Sequence, residues 1–243
     1  MTSRERIFAA LLGERVDRVP TALGFRPTPV AQYAPNDYSG PLPDAVSVSF
    51  KKKTWLLDLV ERPELAHALL DRLRDMCVSN AQILAHAGVD ILVLDDDVGM
   101  PTSMIIGRDL WAKYLKPRMV EIIAAGRAIN PDLLVLYHSD GWILPIIDEL
   151  IEIGVNALNP IQPDVVDPME IKRQFGDRIT LWGAVGTQGT FSDTTPEAVA
   201  SETQMRLETL GPDRLVLCPA YDLVESNYRW PNIEAFLQQV AKH

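Results

Sequence analysis

Three consecutive aspartates, Asp95, Asp96 and Asp97, directly follow the apolar run Leu92–Leu94. Crowded carboxylates raise one another's pKa, so this group could provide a general acid or a cation site. The alternative is that one aspartate caps the following turn while the other two face water, since aspartate is common in such positions. We expect at least one of the three to belong to a functional site.

A second polar group follows the apolar run that ends at Tyr137. His138 and Asp140 are two positions apart, and residues with that spacing in an extended segment point to one side. They could share a metal ion or a proton, and Gly141 permits the close approach of another group. A lone histidine is usually a hydrogen-bonded structural residue, but the neighbouring aspartate and glycine favour a functional role.

Amide and indole side chains follow two further apolar runs. Asn159 and Gln162 are separated by a Pro-Ile pair, and Trp182 and Gln188 stand at the two ends of a glycine-containing segment. Amides can orient a polar or carboxylate-bearing substrate, although the same residues are common in ordinary turns. Cys218 lies inside the last apolar run, where a buried, unreactive thiol is the expected state.

These polar groups follow short apolar runs that alternate with segments of helical periodicity, which indicates β/α alternation. Runs rich in Leu, Ile and Val with little alternation predict a parallel sheet covered on both faces. A (β/α)8 TIM-type barrel is favoured over a doubly wound sheet because polar residues follow nearly every run. Seven strands are predicted, so the barrel is incomplete if these are all of them: Val19–Phe25, Ala45–Phe50, Asp90–Leu94, Leu133–Tyr137, Val155–Asn159, Ile179–Trp182 and Leu215–Cys218.

Several helix boundaries can also be predicted. Thr195 is a suitable N-cap for a helix over Pro196–Leu210, and Asp167 begins a helix that ends at Gly176. The longest predicted helix spans Leu65–His86.

The composition excludes several classes of protein. The chain has 243 residues, of which 47% are hydrophobic, and this size fits a single domain over residues 1–243. A formal net charge of −10 argues against a nucleic-acid or anionic-membrane partner, because the average field would repel either. Two cysteines without CxxC spacing exclude a disulfide scaffold and a zinc finger. No run approaches a membrane span and the amino terminus is charged, so a cytoplasmic location is expected.

A series of short motifs runs almost end to end along the chain. They are Thr2–Arg6 with Asp17–Pro20, Leu57–Leu59 with Pro63–Leu65, Asp95–Asp96, His138–Gly141, Gly154–Val155 with Asn159, Pro160 and Gln162, Phe175–Arg178, Trp182–Gly183 and Pro231–Ile233. Together they resemble the ordered landmarks of the uroporphyrinogen decarboxylase superfamily. The resemblance implies a (β/α)8 barrel. It also implies either removal of acetate carboxyls from a tetrapyrrole, or methyl transfer between corrinoid proteins and thiols, folates or methoxylated substrates.

The chain departs from the decarboxylase pattern in two places. The arginine-rich loop after the first strand is absent and leaves Arg26, and the aspartate-bearing segment of the second strand has no counterpart. Compared with the family pattern, this chain lacks a segment between Phe25 and Lys51. This gap agrees with the prediction of seven strands rather than eight. Because an incomplete barrel would have a costly unpaired edge, we expect a homo-oligomer.

The thiol-methylating members of the superfamily look recognisable by a further motif. It consists of a His-x-Cys and a distant cysteine, which together bind zinc. Here His138 is kept, Asp140 replaces the first cysteine, Tyr221 aligns with the second, and Cys218 lies shortly before it. A site with one histidine and oxygen ligands suits a harder or more weakly bound cation than a thiolate site does.

The absent arginines favour a methyltransferase-type enzyme that carries out corrinoid-linked methyl transfer to or from a small substrate, with the methylcorrinoid on a partner protein. A decarboxylase-like carboxy-lyase and a non-catalytic shortened barrel, acting as a subunit or binding protein, are the alternatives. The residues expected to act are, for catalysis, His138, Asp140, Asp96 and Tyr221; for substrate binding, Arg26, Asp95, Asp97, Asn159, Gln162, Trp182 and Gln188; and for zinc, His138, Asp140 and Cys218.

Overall fold

The computed structural model describes residues 1–21, 54–191, 194–220 and 229–242. They fall into two compact units. The first consists of the described parts of Met1–Arg26, Val89–Ile105 and Asp132–His243, and the second of the described parts of Pro27–Gly88 and Ile106–Pro131. Among the described residues, no helix combines the length and hydrophobicity that a bilayer crossing requires.

The first unit is built on a parallel sheet whose five strands, among the described residues, pair in chain order. Each strand lies on one of the predicted apolar runs, and the ends differ by at most three residues. The strands are β1 (Ile91–Asp95), β2 (Leu134–His138), β3 (Ala157–Ile161), β4 (Thr180–Val185) and β5 (Leu215–Pro219).

The amino-terminal segment extends the sheet on the far side of β5. Thr21 forms a parallel bridge with Leu217, and the Leu217 N–H donates to the Pro20 carbonyl at 2.9 Å. The start of the chain therefore lies beside the last strand, and the other strands follow in sequence. This is the order of a (β/α) barrel, whereas the order reverses at a switch point in a doubly wound sheet. The rest of the first predicted strand and the whole of Ala45–Phe50 lie outside the described residues.

Helix α1 (Ser3–Leu12) packs on one face of the sheet, which we call the inner face. Ala9 and Ala10 belong to a buried cluster with Val216, and Leu11 belongs to one with Leu134, Leu136 and Ala157. Since strand side chains alternate, His138 and Asn159 share this face but lie nearer the carboxyl ends. On the inner face, apolar residues packed with α1 therefore occupy the amino-terminal part, and polar residues occupy the carboxyl-terminal part.

The second unit is helical in its described residues: α2 (Thr54–Glu61), α3 (Pro63–His86), α4 (Arg108–Tyr114) and α5 (Lys116–Arg127). The buried Arg118 joins α5 to α3, since its guanidinium lies 2.6 Å from Asp71 and 3.1 Å from His67 Nδ1. The Tyr114 hydroxyl donates to the Leu59 carbonyl at 2.7 Å. His67 therefore has a packing role, as its position on a long helix suggests.

The remaining helices belong to the first unit: α6 (Ile147–Glu152), α7 (Pro168–Phe175), α8 (Pro196–Leu210) and α9 (Trp230–Val240), with short helical turns at Leu144–Ile146 and Thr187–Phe191. Two predicted N-caps are confirmed. The Asp167 side chain accepts from Met169 N–H, and the Thr195 side chain accepts from Ala198 N–H. Each satisfies an N–H that has no partner within its helix.

Candidate metal centre

Strand register brings polar side chains from three neighbouring strands together. Asp95 at the end of β1 pairs with His138 at the end of β2, and His138 pairs with Asn159 of β3. All three belong to the carboxyl half of a parallel sheet, which is where barrel enzymes assemble their functional residues.

The orientation of the His138 ring is fixed by Asn159. The two side chains are buried, and His138 Nδ1 lies 2.7 Å from Asn159 Oδ1. Asn159 Nδ2 donates to the Trp182 carbonyl at 3.4 Å, which identifies Oδ1 as the acceptor for the histidine. His138 therefore carries its proton on Nδ1 when it is neutral, and Nε2 holds the lone pair that can bind a metal or accept a proton.

Asp95, Asp97 and His138 form a group that can hold a cation. His138 Nε2 lies 3.9 Å from Asp97 Oδ1, and one ligand atom from each of the three residues lies within 4.8 Å of the others. Two exposed carboxylates and one buried imidazole give three protein ligands, which is the number in catalytic zinc sites that keep a position for substrate. The donor set therefore fits a divalent cation, and the hydrogen bond at Nδ1 is the support that metal-binding histidines usually have.

Asp96 lies between the two carboxylates of this group and has a different environment. Although part of the residue reaches solvent, removal of its carboxyl group from water raises the pKa to about 6, with further contributions from the charges of Asp95 and Asp97. A carboxyl group with this pKa is present in both protonation states near neutral pH, so it can donate or accept a proton.

Asp140 is held by Gln162. The Gln162 amide donates to Asp140 Oδ1 at 3.0 Å and accepts from the Gly141 N–H at 2.8 Å. Asp140 also donates its backbone N–H to Asp97 Oδ1 at 3.0 Å. The carboxylates in the cation group are those of Asp95 and Asp97. Gln162 joins the loop after β3 to the loop after β2 through Asp140 and Gly141.

Two glycines allow the loops after β1 and β2 to pack together. A Cβ atom on Gly99 would lie 2.2 Å from the Asp140 carbonyl oxygen, and one on Gly141 would lie 2.5 Å from the Gly99 carbonyl carbon. Gly141 also has φ of +81°, which other residues rarely adopt. The sequence predicts a close approach at Gly141 but not at Gly99, which no local signal distinguishes from a turn glycine.

The other predicted site residues are placed differently. The Trp182 indole packs among α1 residues, and its carbonyl is the part that contacts Asn159. Cys218 is fully buried on β5, with β3 and β4 between it and His138, and it is not a member of the cation group. Gln188 lies in the helical turn that follows β4. Arg26 and Tyr221 lie outside the described residues.

Comparison with known proteins identifies relatives. The family model for uroporphyrinogen decarboxylase (URO-D) matches residues 46–243. A methyltransferase from Methanosarcina mazei superposes with a TM-score of 0.65 at 20% identity, covering 78% of this chain and 53% of that chain. A structure described as a vitamin-B12 independent methionine synthase from Listeria monocytogenes has a TM-score of 0.48 at 17% identity, covering 74% and 57%. No curated protein matches the chain significantly.

The chain thus spans about half the length of the two solved structures. At 20% identity, the similarity to the Methanosarcina mazei methyltransferase establishes the fold.

Proposed function

Because this chain belongs to the uroporphyrinogen decarboxylase family, we propose that it is an enzyme that catalyses corrinoid-linked methyl transfer to or from a small substrate. The observation that carries the proposal is the group of Asp95, Asp97 and His138 at the carboxyl ends of the strands. When bound there, a divalent cation would supply a Lewis acid that lowers the pKa of a coordinated thiol or hydroxyl group. The methyltransferase fold of a solved relative supports the same reaction class.

The residues around this group have separable roles. Asp95, Asp97 and His138 hold the group that gives or receives the methyl. Asp96 exchanges the proton that accompanies the transfer, because burial and its neighbours raise the pKa to about 6. Asn159 holds the histidine tautomer, while Gln162 and Asp140 hold the loops that carry the aspartates.

The proposal also includes predicted residues whose side chains the structure does not describe. We propose Tyr221 as a further catalytic residue, and Arg26 and Gln188 as substrate contacts. The Trp182 carbonyl contributes through Asn159, while the indole packs against the apolar clusters formed with α1. Cys218 has a structural role in this proposal.

The substrate and partners follow from the same chemistry. We propose a small thiol, folate or methoxylated molecule as one reactant, and a methylcorrinoid carried by a partner protein as the other. We also propose that the chain is a homo-oligomeric, cytoplasmic protein whose 243 residues form one domain.

A carboxy-lyase is the less well supported alternative. A tetrapyrrole with several carboxylates needs cationic partners, but Asp95, Asp96, Asp97 and Asp140 gather at this part of the sheet. Like charges at such short range disfavour an anionic substrate. The non-catalytic alternative leaves the fixed tautomer of His138 and the raised pKa of Asp96 without a role.

The experiment is demethylation of methylcobalamin by the purified protein in the presence of thiol, folate or methoxylated substrates, combined with elemental analysis. We expect a bound divalent metal and turnover in the wild type. His138→Gln should lose both, and Cys218→Ser should keep both while costing some stability, because it places a hydroxyl group in an apolar site.

Three results would contradict the proposal. Release of CO2 from a porphyrinogen without methyl transfer would support the carboxy-lyase. Absence of both activities and of metal would support a binding protein. Loss of metal in Cys218→Ser with normal folding would return the cysteine to the ligand set.

A further inference from the structure

The turn that follows β4, residues Gly186–Phe191, is here called the β4 loop. It begins where β4 reaches the carboxyl end of the sheet, directly beside β3, which supplies Asn159 and is followed by Gln162. A Cβ atom on Gly186 or Gly189 would lie 3.7 or 3.6 Å from the Asp164 carboxylate, so the β4 loop also approaches the loop after β3. Its position therefore affects the shape of the site next to the cation group.

The β4 loop is held at its start by an ion pair on α8. The Gly186 N–H donates to Glu202 Oε1 at 3.3 Å, and the same oxygen accepts from Arg206 at 3.1 Å. Within the loop, the Phe191 N–H donates to the Gly186 carbonyl at 3.0 Å.

Asn232 of α9 holds the other end of the β4 loop. Its side chain is fully buried, and Nδ2 donates to the Phe191 carbonyl at 2.7 Å and to the Thr194 carbonyl at 3.3 Å. The Phe191 ring packs edge-on against Phe236 of the same helix, with 5.7 Å between centroids.

Stability alone does not account for an amide side chain at Asn232. Its Oδ1 is buried and has no hydrogen-bond partner among the described residues. A half-satisfied buried polar group is generally worse for stability than an apolar group of the same shape. The bonds that Nδ2 donates to Phe191, at the end of the loop, and to Thr194, just beyond it, therefore explain an asparagine at this position.

We infer that Asn232 is a positioning residue that fixes the β4 loop at the edge of the candidate metal centre, and so sets how the small substrate is bound there. The catalytic consequence rests on the proposed function. The effect on the loop does not, because it depends on hydrogen bonds within the first unit.

The test compares Asn232→Leu, which is similar in shape but has no donor, with Thr203→Val as a matched control. Thr203 is also fully buried, and its hydroxyl donates to the Val199 carbonyl within α8 at 2.7 Å. Amide hydrogen exchange should accelerate about tenfold or more in the β4 loop of Asn232→Leu, while β5 stays within about twofold of wild type. The thermal midpoint should shift by only about 4 °C or less. In Thr203→Val, exchange of the β4 loop should be unchanged.

Kinetics separate a positioning role from a general loss of structure. For Asn232→Leu we expect kcat/KM for the small substrate to fall about tenfold or more, mainly through KM, because the bound geometry is loosened. The dissociation constant for Co²⁺ should be unchanged, since Asn232 contacts none of the three ligands.

Unchanged exchange in the β4 loop, or acceleration spread evenly over the first unit, would overturn the inference. So would normal kcat/KM in a variant whose loop exchange is faster. If the wild type transfers no methyl group, the proposed function fails, and the exchange measurement still decides whether Asn232 holds the loop.

Discussion

His138 owes its suitability as a ligand to one hydrogen bond. Asn159 accepts from Nδ1, so Nε2 faces Asp97 with its lone pair available for chemistry. Neither residue is unusual by itself, and what matters is that strand register sets them side by side.

The variant Asn159→Leu tests this dependence. With no acceptor at Nδ1, the ring loses its preferred tautomer and orientation, so we expect the affinity for Zn²⁺ or Co²⁺ to fall about 10–100-fold, as for other residues that support metal ligands. Isothermal titration calorimetry provides the measurement. Asn156→Leu is the control, because Asn156 accepts from Val135 N–H at 2.9 Å on the same pair of strands. Equal affinity in both variants would show that the hydrogen bond is unimportant.

The raised pKa of Asp96 predicts a particular pH dependence of stability. A folded-state pKa of about 6 lies above that of an unfolded aspartate. Between about pH 4 and 6 the native state therefore holds a proton that the unfolded chain has lost, and stability falls as pH rises through this window. Above pH 6 the cost stays constant, at most about 3 kcal/mol.

Asp96→Asn removes this cost because asparagine does not ionise. In cation-free buffer we expect the variant to gain stability relative to wild type from pH 4 to pH 6 and to keep the gain at pH 7. Urea unfolding across this range is the measurement. A difference independent of pH would show that Asp96 has an ordinary pKa.

At the scale of elements, the site depends on how closely the loops after β1 and β2 approach. Gly99 and Gly141 allow contact that any Cβ atom would prevent, and this contact places Asp97 near the Asp140 N–H and His138. The contact between the loops therefore helps to form the candidate metal centre, because it positions Asp97.

Gly141→Ala should separate these loops. The added methyl group would meet Gly99 and Met100 backbone atoms at 2.5–2.9 Å, and φ of +81° adds backbone strain. We expect cation affinity to fall at least about tenfold, because Asp97 moves relative to His138. Gly107→Ala is the matched control, since nothing lies within 4 Å of the new Cβ atom. Normal affinity in Gly141→Ala would mean that the loops do not set the ligand geometry.

For the whole molecule, cation binding should be linked to unfolding. If the 243 residues form one domain, calorimetry should show a single transition. At a cation concentration 100 times the dissociation constant, stability should rise by about 2.7 kcal/mol, which corresponds to about 5–10 °C for a chain of this size. A chelator should reverse the shift. Two transitions, only one of which responds to the cation, would show that the units unfold separately.

Many of the elements, and the end of the sheet at which the candidate site lies, can be predicted from the pattern of residues along the chain. The strand runs, the Thr195 and Asp167 caps and the barrel class follow from local periodicity and turn chemistry. The aspartates and His138 were predicted at strand ends because polar residues directly follow apolar runs.

Which side chains meet depends on the tertiary packing. The sequence predicts that His138 and Asp140 share one face; the structure adds Asp97, whose Oδ1 lies 3.9 Å from His138 Nε2, and Gln162, which donates to the Asp140 carboxylate. The choice of Asn159 as the partner of Nδ1 depends on register between β2 and β3. Such contacts join residues far apart in the chain, and they are set by backbone packing and side-chain direction, which no local pattern of residue types encodes.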